Sequence, residues 1–227
     1  AARAAGRRAE AIAMRDTDRD LTSVVLVRAD GPLREAADLH GKRIGVGAAD
    51  SPQATLIPLA SLAAAGIVGV EVRHDVLVGK HGDHVGGERD AVRALLEGTV
   101  DAACIIDGNR LGFAREGLIA TQGPNGLRVV HQTAPYDHCN FTVLDGGPPA
   151  TGRFRELLLG MSYDDPALRP LLDLEGLKAW LPGRTSGYAL LERAVDRYHT
   201  LDAWLAGGRR LLARDPWRAD VGWPDGF

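Results

Sequence analysis

Cysteine is scarce in this chain of 227 residues, with Cys104 and Cys139 the only two. Two thiols make no disulfide framework, and they leave the redox compartment open. Charge of one sign is also missing. Lys and Arg total 27 against 30 Asp and Glu, for a net charge of −3, and the basic residues are spread along the chain. That excludes a nucleic-acid face and a polybasic membrane patch. No run approaches the ~18 to 20 apolar residues of a transmembrane helix. The opening AARAAGRRAEAIAM has no initiator Met, no apolar h-region and no cleavage pattern. It reads as the end of a helix followed by a strand over Ala9–Met14. There is no internal repeat. What remains, 45% hydrophobic and 25% charged residues, suits one large or two small cores.

The most informative stretch is HGKRIGVGAADSPQATLIPLAS, residues 40 to 61. Lys42 and Arg43 lead into Ile44-Gly45-Val46-Gly47, a short buried strand by its alternation. A small polar loop follows, and then an apolar-periodic helix over 54–65. Ser51 is a good N-cap and Pro52 suits the first helical position. A strand delivering a Ser-bearing loop to a helix start is suited to receive an anion, because free N–H groups and the helix dipole point there. An ordinary capped helix explains the same residues.

Around this stretch, Ser23-Val24-Val25-Leu26-Val27 leads through Ala37-Asp38-Leu39-His40-Gly41-Lys42-Arg43 to the loop. Gly66-Ile67 and Gly98-Thr99-Val100-Asp101-Ala102-Ala103 follow. This order resembles the solute-binding proteins of phosphate/phosphonate-type ABC uptake systems, within the type II periplasmic-binding-protein superfamily, over roughly residues 20 to 175. The resemblance implies an α/β fold of two lobes with mostly parallel sheets and a ligand cleft between them. Residues 1–30 and 141–206 would form the first lobe with the hinge strands, and 31–140 the second. Residues 207–227 would be an irregular tail. The first lobe would be incomplete at its N-terminus, since the family carries more strand–helix units before this point. It further implies a small anionic or polar solute, an ABC permease as partner, no cofactor, and a periplasmic or extracytoplasmic place.

Ser51, Gln53 and the Ala54 N–H would then hold the anionic end, and His84, Asp107 and Asn140 the remainder. The family's anion loop offers a run of hydroxyls, whereas Pro52 here removes a hydroxyl and a donor, a poorer phosphate cradle. The family's ligand-donating His, counted back from Asp101, falls near Glu88, with His81 or His84 as replacements.

A second reading is an enzyme on this fold, cytoplasmic in that case. His81-x-x-His84 has metal-ligand spacing, and Cys139 beside these histidines would serve as a nucleophile or as a ligand of a divalent ion. His138 is a further catalytic candidate. On an extended segment His138 and Cys139 would point to opposite faces, and a buried Cys139 would be mere packing. Cys104, in an apolar run, is expected to be inert core.

The alternation of elements sets strands at 9–14, 22–28, 43–47, 70–77, 102–106, 127–132 and 140–144. Helices are expected at 33–39, 54–65, 87–96, 109–116, 151–161, 166–173 and 188–205.

Overall fold

The computed structural model describes residues 6–74, 84–120, 122–123 and 125–198. The expected element at 75–77, His81 and the tail 207–227 therefore lie outside the described residues. Eight strands are described: β1 (Ala9–Arg15), β2 (Ser23–Arg28), β3 (Arg43–Val46), β4 (Val70–Arg73), β5 (Ala102–Ile106), β6 (Leu127–Gln132), β7 (Phe141–Leu144) and β8 (Trp180–Pro182). The α-helices are α1 (Ile57–Ala64), α2 (His84–Glu97), α3 (Asn109–Arg115), α4 (Thr151–Leu159), α5 (Arg169–Leu174) and α6 (Ala189–Tyr198). All seven expected strands are found. The segment expected as a helix at 33–39 is only a short 3-10 turn over Ala36–Leu39.

The strands form a five-stranded sheet in the order β4-β3-β5-β2-β6 and a three-stranded sheet in the order β7-β1-β8. Both are mixed or antiparallel. Only the β3–β4 and β3–β5 pairings are parallel, while β2 runs against β5 and β6, and β1 against β7 and β8. The expectation of mostly parallel sheets is thus corrected, and the route of the chain gives the reason. It enters the larger sheet at Ser23 and runs away from the entry edge along β2, whereas β3, β4, β5 and β6 all run back toward that edge. β2, placed above with the first lobe, is an inner strand of the larger sheet.

The larger sheet is apolar on both faces, so its β2 sequence is a continuous Val-Val-Leu-Val run. Successive side chains alternate across the sheet. Val24 and Leu26 pack with Ala91, Val92 and Leu95 of α2 and with Phe113 of α3. Val25 and Val27 pack on the opposite face with Leu39, Leu62 and Cys104. Cys104 is fully buried and its thiol is pushed far up by burial, as expected of an inert core residue. Asp101 accepts from the Arg43 backbone N–H and pairs with its side chain at 3.0 Å, locking the start of β5 to β3.

Two crossover segments join the sheets. One runs from the turn Asp16–Asp18 to Leu21, and the other from Thr133 to Asn140. They are zipped together by reciprocal backbone bonds between Leu21 and Tyr136, each 2.8 Å, and by the His138 N–H donating to the Asp18 carbonyl at 2.9 Å. After β8 the chain returns to the larger sheet, where α6 packs against α1 and the preceding turn Pro52–Leu56. On the way, Arg184 donates to both oxygens of the buried Asp137 carboxylate, at 2.7 and 2.6 Å. That bidentate pair holds Asp137 well below the usual carboxylate range.

Candidate functional site

The entry edge of the larger sheet collects the carboxyl ends of β3, β4, β5 and β6 and the start of β2. Open α/β sheets place ligands outside strand carboxyl ends. Here three helical segments begin, at Pro52, His84 and Asn109.

The loop after β3 folds as the sequence suggested, with one difference. Ser51 caps the turn, its Oγ accepting from the Ala54 N–H at 3.2 Å. The first turn is a π-turn over Pro52–Leu56, closed by the Leu56 N–H on the Ser51 carbonyl at 3.0 Å, before α1 proper starts at Ile57. The Ala54 N–H, expected to hold an anion, is therefore engaged by its own cap. Ser51 is fully buried and Gln53 nearly so. Gly47 and Gly87 let this loop and the start of α2 approach closely, since a Cβ at Gly87 would lie 2.8 Å from the His74 carbonyl.

Facing the loop from α2 is Glu88, fully buried. One carboxylate oxygen, Oε2, accepts from the Ile106 backbone N–H at 2.9 Å and from Asn109 Nδ2 at 2.8 Å. The other, Oε1, is buried with no hydrogen-bond partner, and so is Oε1 of Gln53. Burial pushes the Glu88 carboxyl up to about 7, although the bonds from Asn109 and Ile106 and the nearness of the Gln53 amide draw it down. Behind this pair, the Ser23 hydroxyl donates to the Gln53 carbonyl at 2.5 Å and meets the Tyr136 hydroxyl at 2.7 Å. The edge is thus a buried polar cluster in which one oxygen of Glu88 and the side-chain oxygen of Gln53 are left without partners.

The other residues singled out in the sequence fall elsewhere. Asp107 is partly exposed and paired with Arg110 at 2.9 Å, along a groove lined also by Leu111 and Leu127. Asn140 is engaged within the crossover, donating to the Tyr188 hydroxyl and accepting from the Thr142 hydroxyl. His84 is the first residue of α2, and its side chain is outside the described residues. His131 is bonded to the Ser61 hydroxyl at 2.8 Å, and Nδ1 of His74 lies 3.3 Å from the Val46 carbonyl, so both are bound up in the packing.

Cys139 is exposed, and its Sγ lies 3.1 Å from Nδ1 of His138. The expectation that these neighbours point to opposite faces is corrected: residues 137–140 form no strand, so alternation does not apply. Asp18 Oδ1 lies 3.5 Å from the same nitrogen. A nucleophile–base–acid relay uses the two ring nitrogens separately, one for the nucleophile and one for the orienting acid. Here both neighbours converge on Nδ1, so Cys139 and Asp18 do not stand at the two ends of such a relay.

Glu88 was not among the binding candidates drawn from the sequence. The position of the family's donating His, counted back from Asp101, falls near Glu88, whose carboxylate accepts where that histidine would donate. Its burial depends on how α2 packs on β5, which no local pattern reports.

Two sheets joined by paired crossovers, with a buried polar cluster at the strand ends, form an architecture suited to binding a small polar solute. The family model of the phosphonate ABC transporter periplasmic substrate-binding protein matches residues 1–188, and the chain belongs to that family. Its role is accordingly binding in transport, in preference to the enzyme reading. Similar solved structures include PhnD1 of Prochlorococcus marinus in complex with methylphosphonate, at 19% identity and TM-score 0.62, covering 84% of this chain and 71% of that one. A Xanthomonas citri protein bound to ATP is 20% identical with TM-score 0.65, covering 88% of this chain and 74% of its own. The periplasmic aliphatic sulphonate binding protein SsuA of Escherichia coli is 19% identical with TM-score 0.53, covering 89% and 67%. At these identities the likeness establishes the fold. No curated protein matches the chain. Among the described residues no helix is long and apolar enough to cross a membrane.

Proposed function

We propose that this chain works outside the cytoplasmic membrane and hands a small phosphonate- or sulfonate-type solute to an ABC permease. We further propose that the solute also carries a hydrogen-bond donor, an amine or a hydroxyl. Gln53, Glu88 and Asn109 receive that donor end, with the Ser51 hydroxyl beside them. One observation carries the reading: the buried, unpartnered acceptor oxygens of Gln53 and Glu88 at the strand-end edge. An unmet buried acceptor costs about 1–3 kcal/mol, and a ligand N–H or O–H offsets that cost. The oxyanion of such a solute finds fewer donors here than a loop of several hydroxyls would supply, because Pro52 contributes neither hydroxyl nor N–H.

The test is calorimetric titration of the full chain with alkyl phosphonates and sulfonates of equal length, with and without a terminal amine or hydroxyl. The donor-bearing members should bind at least about tenfold tighter, a difference of about 1.4 kcal/mol. Glu88→Ala should erase that preference. Equal binding of the plain alkyl compounds, unaffected by Glu88→Ala, would overturn the proposed ligand class while leaving the family assignment intact.

A further inference from the structure

The convergence of Cys139 and Asp18 on one nitrogen of His138 rules out a relay but suits a metal ion. We propose that Asp18, His138 and Cys139 form a site for a single borderline divalent ion such as zinc, bridging the two crossover segments. One oxygen of Asp18, Nδ1 of His138 and Sγ of Cys139 all lie within 4.8 Å of one another. The sulfur–nitrogen pair is 3.1 Å apart and the nitrogen–oxygen pair 3.5 Å. Zinc with bonds of about 2.0–2.3 Å in a tetrahedron holds its donors roughly 3.3–3.6 Å apart, so small side-chain rotations close the site. Thiolate, imidazole and carboxylate are the donor types that zinc takes. Among the described residues, no other group of His, Cys, Asp and Glu brings three donors this close.

The surroundings fit an ion with an open position. Asp18 is buried at the end of the first crossover's turn, while Cys139 is exposed. Both line a cavity of about 200 Å³ together with Met14, Arg15, Asn140 and Phe141, which leaves room for a water as fourth ligand. Arg15 holds both carboxylate oxygens, its Nε on Oδ2 at 2.6 Å and its Nη2 at 3.1 Å on Oδ1, the oxygen that faces His138. That grip orients Asp18, and its positive charge weakens the hold on a cation, so the expected affinity is roughly micromolar rather than that of a closed structural site. Because Asp18 precedes β2 and Cys139 precedes β7, a bound ion would tie together the two crossover segments that join the sheets. The site does not depend on which solute the strand-end cluster takes.

The experiment is titration of the full chain with cobalt(II) and then zinc. Cobalt should give a thiolate-to-metal charge-transfer band that saturates at one equivalent and is displaced by zinc. Cys139→Ser should abolish the band and weaken zinc binding roughly 100-fold, and His138→Ala should weaken it comparably. Cys104→Ala should leave both intact. In the unaltered protein, zinc should also slow alkylation of Cys139, read by mass spectrometry, a measurement that needs no variant to fold. Absence of the band, an unchanged titration in Cys139→Ser, or alkylation of Cys139 indifferent to zinc would each overturn the site.

Discussion

The hydroxyls of Ser23 and Tyr136 meet at 2.7 Å where the paired crossovers leave the larger sheet. Since the Ser23 hydroxyl proton goes to the Gln53 carbonyl, the Tyr136 phenol is the donor of the pair. The result is a one-way chain from Tyr136 through Ser23 to the backbone of the π-turn. Burial pushes the phenol well above its ordinary value, so it stays protonated and the direction of the chain is fixed. Removing different links has different consequences. Tyr136→Phe deletes one donor and leaves the Ser23–Gln53 bond, for about 1 kcal/mol. Ser23→Ala leaves both the phenol and the Gln53 carbonyl unmet in a buried place, for about 2–3 kcal/mol. Urea unfolding of the two variants should rank them in that order. A Ser23→Ala variant no less stable than Tyr136→Phe would show that the chain does not support the turn.

Glu88 makes stability depend on pH in a window set by its environment. Burial is the leading cause of its elevation to about 7 from an ordinary value of 4.5. The folded state therefore holds this proton more tightly than the unfolded state. The associated stability is fully present below about pH 4.5 and is lost as pH rises through 7, to a total of about 3 kcal/mol at most. Urea midpoints measured from pH 5 to 8 should fall over that range, and Glu88→Gln should flatten the fall. An amine-bearing solute prefers the ionised carboxylate, so its affinity should rise over the same interval. An affinity that instead fell with rising pH would identify Glu88 as a donor to an anion, contrary to the solute class proposed.

Much of this architecture is legible in the residues, and the failures have specific physical origins. The Val-rich run at 23–27 and the Ile44–Val46 segment announce buried strands because both sheet faces are covered, leaving nothing polar to interrupt them. Ser51 and Pro52 correctly mark a helix start. They do not report the extra residue that turns the first turn into a π-turn and moves α1 to Ile57. β8 escaped notice because it is three residues long and ends in Pro182, which is tolerated there at the edge of the smaller sheet. Strand direction is not legible, because alternation of helices and strands says nothing about the edge at which the chain enters a sheet. The candidate site was half legible. Gln53 and Ser51 stand where the loop pattern put them, while Asp107 and Asn140 are held by partners of their own. Alternation also misplaced Cys139, because it was applied to a crossover held by the opposite crossover and not by a ladder.

The contact between Gly183 and β1 offers a sharp test of the smaller sheet. Pro182 pairs with Ala13, and the residue after it is pressed so close that a Cβ at Gly183 would lie 2.3 Å from the backbone of Ala11. Backbone of an inner strand cannot swing aside as a side-chain tip does. Gly183→Ala should therefore force β8 away from β1, loosen the seat of Arg184 on Asp137 that follows it, and destabilise the chain by about 1–3 kcal/mol or more. Gly112 is the internal control. It lies exposed in the middle of α3 with nothing within 4 Å of its would-be Cβ. There the same substitution removes only unfolded-state freedom and should stabilise by about 0.5–1 kcal/mol. Thermal melts of the two variants should move in opposite directions. A Gly183→Ala protein melting at or above the parent would mean that β8 does not pack on β1 as described.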